Sequence, residues 1–196
     1  AECLVGSEMC IRDRINSFQF KQVQKKSAVF DEKKLLWISQ QHLSEMGVRD
    51  LMNEIYTLNP EWGDGLEWDY LKEVVKLIKD RSKTITEITS MSEIFFKDKL
   101  EYDIDLLNKT FNDKSIAIIK DFQSALSSIE DWSRVEIEKI FEDIMEQHEV
   151  AIGQVMKPVR VAISGIPFGP GIFDLILLLG KEICQIRLRH ALSVIQ

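Results

Sequence analysis

The chain has 196 residues, of which 45% are hydrophobic and 29% are charged, and this composition excludes wholesale disorder. Its formal net charge of -7 argues against general nucleic-acid binding, so we expect no DNA partner. No apolar run reaches the roughly 18 residues that a transmembrane helix needs, and we therefore expect no membrane partner and a cytoplasmic location. The three cysteines and three histidines form neither a disulfide framework nor a zinc signature, which favours reduced thiols and no bound metal.

The first 14 residues, AECLVGSEMCIRDR, have no helical period and fit nothing that follows. We interpret residues 1–14 as a tail that is either non-native or poorly ordered, and we leave it out of the fold. This segment carries two of the three cysteines, so Cys184 is the only cysteine in the remaining chain.

Helix signals follow one another through the first half of the chain. Asp31 is a good N-cap because its side-chain oxygen can accept hydrogen bonds from the first amides of a helix. Thr84 is a second N-cap, and Glu87 three residues later completes a capping box. Apolar residues recur at helical spacing between and after these caps, and the predicted helices end near Gly47, Leu58, Ser82 and Phe95.

The second half of the chain shows the same helical spacing. Ser133 is the predicted N-cap of one helix, and Pro158 is predicted near the start of another, where a missing amide does least harm. The loop Gly165–Gly171 is rich in glycine and proline and leads into a short apolar helix that Gly180 closes.

The fold class follows from these patterns. No segment alternates between apolar and polar residues as a β-strand does, and there is no internal repeat. The stretch 97–105 is less regular than its neighbours and is the predicted domain boundary. We therefore predict an all-α fold with two consecutive helical subdomains, over residues 15–98 and 99–196.

Charge is unevenly distributed along the chain. The stretch 97–150 contains 7 basic and 14 acidic residues, whereas the stretch 153–196 contains 5 basic and 2 acidic residues. A polyanion would be repelled by the first stretch and attracted by the second. Two differently charged solvated faces would explain the same numbers, so charge alone does not identify a ligand.

The chain lacks catalytic motifs, but three features are candidates for binding a ligand. The chain has no phosphate-binding glycine loop and no nucleophile elbow. The free amides where the loop Gly165–Gly171 meets the next helix favour an anion or a polar base edge, although an ordinary interhelix turn is equally compatible. Lys157 and Arg160 are three residues apart and can face one ligand, and Arg81 lies in the last turn of its helix. Surface charge and helix-end complementarity are the alternative explanations for these cations.

Four segments carry a resemblance to a known family. In order and spacing they resemble the C-terminal part of bacterial glutamyl-tRNA synthetase, from about Ile15 to the end of the chain. The match is weakest over residues 102–149, where it follows mainly the helical pattern. The segments are VFDEKKLLWIS (29–39), GQVMKPVRVAISG (153–165), PGIFDLILLLGKE (170–182) and RLRHAL (187–192).

The resemblance implies a class I aminoacyl-tRNA synthetase that uses ATP, magnesium and glutamate. Its catalytic Rossmann domain carries HIGH-like and KMSKS-like motifs, and neither motif is in this chain. The resemblance therefore implies the end of the connecting domain plus a two-part helical anticodon-binding region, an α-helix cage or bundle. It implies glutamate tRNA as the partner, a monomer, no cofactor in this segment, and no catalysis without the rest of the enzyme.

The resemblance also assigns candidate anticodon-binding residues. Arg81 matches the arginine that, in discriminating members, helps to distinguish the third anticodon base of glutamate tRNA from that of glutamine tRNA. Arg160 matches a base-contacting arginine, and Gly169 and Ile172 match loop positions that approach the anticodon. Gly169 departs from the family because some members have a side chain there. Lys157 completes the predicted site.

Two other functions remain open at this stage. A helical protein-interaction module without an RNA role would scatter Lys157, Arg160 and Arg81 over the surface. An anticodon-binding region would bring them to one concave face with the loop Gly165–Gly171. A self-sufficient enzyme is disfavoured because the catalytic motifs are missing.

Overall fold

The computed structural model describes residues 15–22 and 29–195, so the interpretation of residues 1–14 as a tail lies outside the described residues. Within these ranges the chain is helical and has no strand, which confirms the all-α prediction. No helix in the same part is both long and apolar enough to cross a membrane. The α-helices are α1 (Glu32–Glu45), α2 (Val48–Leu58), α3 (Trp68–Ile78), α4 (Ile85–Ser92), α5 (Ile104–Thr110), α6 (Asp113–Ser128), α7 (Arg134–Gln147), α8 (Ile152–Ser164) and α9 (Ile172–Ile195).

Side-chain caps begin the helices at the predicted positions. The Asp31 carboxylate accepts a hydrogen bond from the Lys34 amide at 3.1 Å. The Thr84 hydroxyl oxygen accepts one from the Glu87 amide, also at 3.1 Å. The Glu87 carboxylate accepts from the Lys83 amide, one residue earlier than a standard capping box requires. These contacts satisfy amides that have no partner inside the helix. The caps at Thr84 and Glu87 begin α4 three residues after the 3-10 turn Lys79–Arg81.

Pro158 and Gly180 both disfavour helix, but only Gly180 interrupts the helix in which it lies. Since α8 begins at Ile152, Pro158 lies in its interior, and the prediction that Pro158 lies near a helix start is wrong. The proline is buried, so packing holds it where the helix lacks one amide donor. Gly180 has φ 79° and ψ 164°, a conformation that favours glycine, and it closes the first segment of α9 as predicted.

The helices pack in two groups around a continuous apolar core. In the first group, α2, α3 and α4 contact one another, and the 3-10 turn Lys79–Arg81 packs on α1 and α3. In the second group, α6, α7, α8 and α9 contact one another and α5 lies against α8. Helix α9 reaches α3 and joins the groups. The connecting residues 96–103 contain no helix, and the proposed division at residue 98 stays a prediction.

Arg187 is fully buried where the two groups meet. Its Nη1 donates to the Ile163 carbonyl at the end of α8, at 2.8 Å. Its Nη2 donates to the carbonyls of Ile94 and Lys97 in the first group, and its Nε to that of Asp98. Burial lowers the pKa of this guanidinium, and the four carbonyls supply the polar partners that a buried charge needs. Arg187 therefore connects the ends of α4 and α8.

This placement corrects the charge count over residues 153–196. Arg187 contributes no surface charge because it is buried. Lys181 donates to the carbonyl of Ile129 at 2.7 Å and is only partly exposed. The attraction of this segment for a polyanion therefore rests on fewer cations than the sequence indicated, and Arg160 is one of them.

Candidate functional site

The loop 165–171 leaves α8 in a defined direction. Gly165 has φ 73° at the end of the helix, and its amide donates to the Val161 carbonyl at 2.9 Å. The Ser164 hydroxyl donates to the Arg160 carbonyl at 2.8 Å and accepts from the Ile166 amide at 3.4 Å. These short-range contacts hold the first part of the loop against the end of α8.

Arg160 on α8 holds the second part of the loop. Its Nη1 donates to the Pro170 carbonyl at 2.7 Å. The side chain is half-buried, and its pKa is lowered first by burial and then by the positive charge of Arg81. An arginine still keeps its charge at neutral pH. The site therefore holds a partly desolvated cation next to a second cation.

Arg81 reaches the same loop from the other group of helices. It ends the 3-10 turn Lys79–Arg81 after α3, and its Nη1 donates to the Gly169 carbonyl at 2.9 Å. The two residues are 88 positions apart in the sequence. The exposed side chain of Arg81 thus crosses from one helical group to the loop of the other.

The two arginines form an uncompensated cationic pair. Neither makes an ion pair with a carboxylate in the part of the chain that the structure describes. Each donates one side-chain hydrogen bond to a loop carbonyl, and a guanidinium has five donors in all. Their mutual repulsion and their spare donors both favour an anionic or acceptor-rich ligand.

A groove of about 500 Å³ lies between α4 and the loop. Its walls contain cationic, acidic, hydroxyl and apolar side chains, so it can contact both polar and flat apolar groups of a ligand. The lining residues are Arg81, Lys83, Thr84, Thr86, Glu87, Ser90, Met91, Phe168 and Gly169.

Lys157 is not brought into this groove. It is exposed and lines a second cavity of about 210 Å³, together with Lys114 and Pro158. The structure therefore unites Arg81 and Arg160 at the loop and leaves Lys157 apart. A role for Lys157 in binding RNA stays a prediction, and it would act at this second cavity.

The two loop positions have different environments. Gly169 has φ 134°, a conformation that side chains disfavour, so a relative with a side chain here needs a different local backbone. Ile172 is 3% exposed and belongs to the core. Any contact of Ile172 with a ligand would involve its backbone amide at the start of α9.

An acidic residue changes the electrostatics at the start of α9. Asp174 lies in the first turn and pairs with Arg134 at 2.7 Å. Its second carboxylate oxygen would lie 2.7 Å from a Cβ at Gly171, so it occupies the space beside the loop. A negative charge at this position opposes a phosphate, and the free amides therefore favour a neutral base edge.

Sequence reasoning did not select Phe168 or Lys83 as site residues. The signal for Phe168 was present, because a large aromatic residue stands between Pro167 and Gly169 in an otherwise small-residue loop. No comparable signal marked Lys83, since it is one of many exposed lysines. Its place in the groove depends on how α4 packs.

Comparisons with known proteins point to one family. The family model described as "Anticodon binding domain" matches residues 40–192. A glutamate–tRNA ligase of Flavobacterium johnsoniae is 29% identical over 185 residues, which are 94% of this chain and 37% of the relative. A glutamate–tRNA ligase of Desulforudis audaxviator is 32% identical over 201 residues, which are 96% of this chain and 40% of the relative. The chain spans about two-fifths of the length of these curated relatives.

Solved structures show the same helical arrangement. A glutamate tRNA ligase from Elizabethkingia meningosepticum, in complex with its amino acid, matches 95% of this chain with a TM-score of 0.80 and 23% identity. A glutamate-tRNA synthetase from Elizabethkingia anophelis matches 93% of the chain with a TM-score of 0.75 and 23% identity. The matches cover 37% and 36% of those chains, and at this identity the likeness establishes the fold.

Proposed function

This chain belongs to the anticodon-binding domain family, and on that basis we propose that it binds the anticodon loop of glutamate tRNA within a glutamate–tRNA ligase. The observation that carries the proposal is the meeting of Arg81 and Arg160, from two helical groups, at the carbonyls of one loop. The two hydrogen bonds also hold the loop, but each guanidinium keeps further donors without a carboxylate partner. Single-stranded RNA supplies acceptors for these donors, because it offers base edges and phosphates together.

The chemistry of the site suits the reading of unpaired bases. A guanidinium is a planar fork whose parallel donors match the acceptors of a base edge or a phosphate. Contacts to phosphates place the RNA, and contacts to base edges choose among tRNAs. Arg160 is partly desolvated and held by the Pro170 carbonyl, so little side-chain motion is lost when a base binds.

The remaining steps of the ligase reaction belong to other parts of such an enzyme. The chain spans about two-fifths of its curated relatives, and we propose that it supplies tRNA binding and no catalytic group. ATP, magnesium and glutamate would bind in the portion that these residues do not cover. We propose that the enzyme acts in the cytoplasm, where tRNAs are charged, and as a monomer.

Replacement of Arg81 tests whether this residue reads a base. Glutamate tRNA has C and glutamine tRNA has G at the third anticodon position. If Arg81 contacts that base, Arg81→Gln will weaken binding of an anticodon hairpin with C by ~1–3 kcal/mol and will narrow its preference over a hairpin with G. Fluorescence anisotropy with the two hairpins measures both affinities.

The matched control for Arg81→Gln is Arg189→Gln, which removes the same charge from an exposed position that does not line the groove. It should leave both affinities unchanged. An equal loss for the two hairpins in Arg81→Gln, with a smaller salt dependence, would assign Arg81 to a phosphate instead.

A further inference from the structure

Phe168 lines the groove, and the two arginines do not explain the presence of an aromatic ring there. Its side chain is 67% exposed. Among residues 69–195 it is the only aromatic side chain that is exposed rather than buried or half-buried. Exposure of a phenyl ring to water is unfavourable, and turns usually contain small or polar residues. The exposed ring therefore offers an apolar face to a ligand in the groove.

The backbone beside Phe168 is held in place. Arg81 donates to the carbonyl of Gly169, and Arg160 donates to the carbonyl of Pro170. Both contacts involve residues within two positions of the aromatic ring. A ring on a backbone that is held in this way loses little conformational freedom when a ligand binds, which raises affinity.

The groove around the ring fits one class of ligand. Arg81 and Lys83 supply two positive charges against the one carboxylate of Glu87, which accepts a hydrogen bond from the Lys83 amide, and several hydroxyl groups supply polar contacts. Phe168 and Met91 supply apolar surface for a flat group, next to these charges and hydroxyl groups. A flat, aromatic, acceptor-rich group on an anionic backbone satisfies all of these features, and an unpaired nucleotide is such a group.

We propose that Phe168 stacks on an unpaired base of the bound RNA loop and presents the edge of a neighbouring base to Arg81. This inference rests on the proposed function and adds a residue to it. Stacking accepts every base because each has a π-face, so Phe168 supplies affinity and orientation. Hydrogen bonds from the arginines select among the bases.

The experiment compares Phe168→Ala, Phe168→Leu and Phe168→Trp in the full chain. The probe is an anticodon hairpin of glutamate tRNA, with a set of hairpins that each lack one loop base. Phe168→Ala should weaken binding of the intact hairpin by about tenfold, and Phe168→Leu should weaken it as well. Phe168→Trp should bind the intact hairpin at least as tightly as wild type. One hairpin of the set lacks the stacked base. Wild type and Phe168→Ala should have the same affinity for that hairpin.

Phe30→Ala is the matched control, since it removes an exposed phenyl ring that lies outside the groove. It should bind the intact hairpin as wild type does. Equal binding of the intact hairpin by wild type, Phe168→Ala and Phe168→Leu would overturn the stacking role and leave the proposed function standing. A loss in Phe168→Ala that is the same for every hairpin would also overturn it. A wild-type chain that binds no hairpin would overturn both.

Discussion

Replacement of Arg187 with methionine should lower the free energy of unfolding by about 3 kcal/mol. The substitution leaves the buried carbonyl of Ile163 and the partly buried carbonyls of Ile94 and Lys97 without their donor. Each orphaned acceptor costs ~1–3 kcal/mol, and the loss is reduced because a buried charge is also removed. Equilibrium urea denaturation followed by circular dichroism measures the change.

Arg189→Met is the control, two residues further along α9 and exposed. Surface substitutions of this kind usually change stability by no more than about 0.5 kcal/mol. If Arg187→Met unfolds at the same urea concentration as Arg189→Met, Arg187 does not hold the two helical groups together.

Because Arg187 joins the end of α4 to the end of α8, its loss should also loosen both walls of the groove and weaken RNA binding.

Arg160→Ala should weaken binding of a glutamate anticodon hairpin by ~1–3 kcal/mol, the range for a lost base contact. The overall fold should persist, since one half-buried side chain and one hydrogen bond to Pro170 are lost. Arg160→Lys keeps the charge without the planar fork, so it should recover only part of the affinity. Isothermal titration calorimetry of both variants measures the losses.

Arg189→Ala is the control for Arg160→Ala, because Arg189 is an exposed arginine whose side chain donates to the Gln185 carbonyl within α9 and not to the loop. It should bind the hairpin as wild type does. Full recovery of affinity in Arg160→Lys would indicate a phosphate contact. Equal binding by wild type and Arg160→Ala would remove Arg160 from the site.

Local features of the fold could be predicted because they depend on few neighbouring residues. The caps at Asp31 and Thr84 need only an oxygen side chain and the amides of the next turn. Gly180 interrupts α9 through its own backbone conformation. Pro158 was misplaced because its effect depends on where α8 begins, and that boundary lies six residues earlier.

The arrangement of the site could be predicted only in part. The resemblance selected Arg81 and Arg160, and both do reach the loop. Arg81 contacts a carbonyl 88 positions further along the chain, which no local pattern reveals, whereas the Arg160 contact spans ten positions. Lys157 lies one helical turn from Arg160 yet lines a cavity away from the loop, whereas Arg160 donates to the Pro170 carbonyl.

The burial of Arg187 also escaped prediction. From the sequence it counts as one more cation in a basic segment, and arginine is seldom fully buried. Its burial depends on carbonyls at residues 94, 97 and 163, which come together only when the two helical groups pack. A charge count therefore overstates the positive surface wherever an arginine serves such a structural role.

The most direct test is the affinity of the wild-type chain for the glutamate anticodon hairpin, compared with a hairpin of the same stem and a substituted loop. The two RNAs carry the same number of phosphates, so nonspecific attraction is equal for both. The proposed function predicts at least about a tenfold preference for the glutamate loop, the effect of one good base contact. This preference should persist when the salt concentration is raised. Equal affinities for the two hairpins, or no binding of either hairpin, would contradict the proposed function.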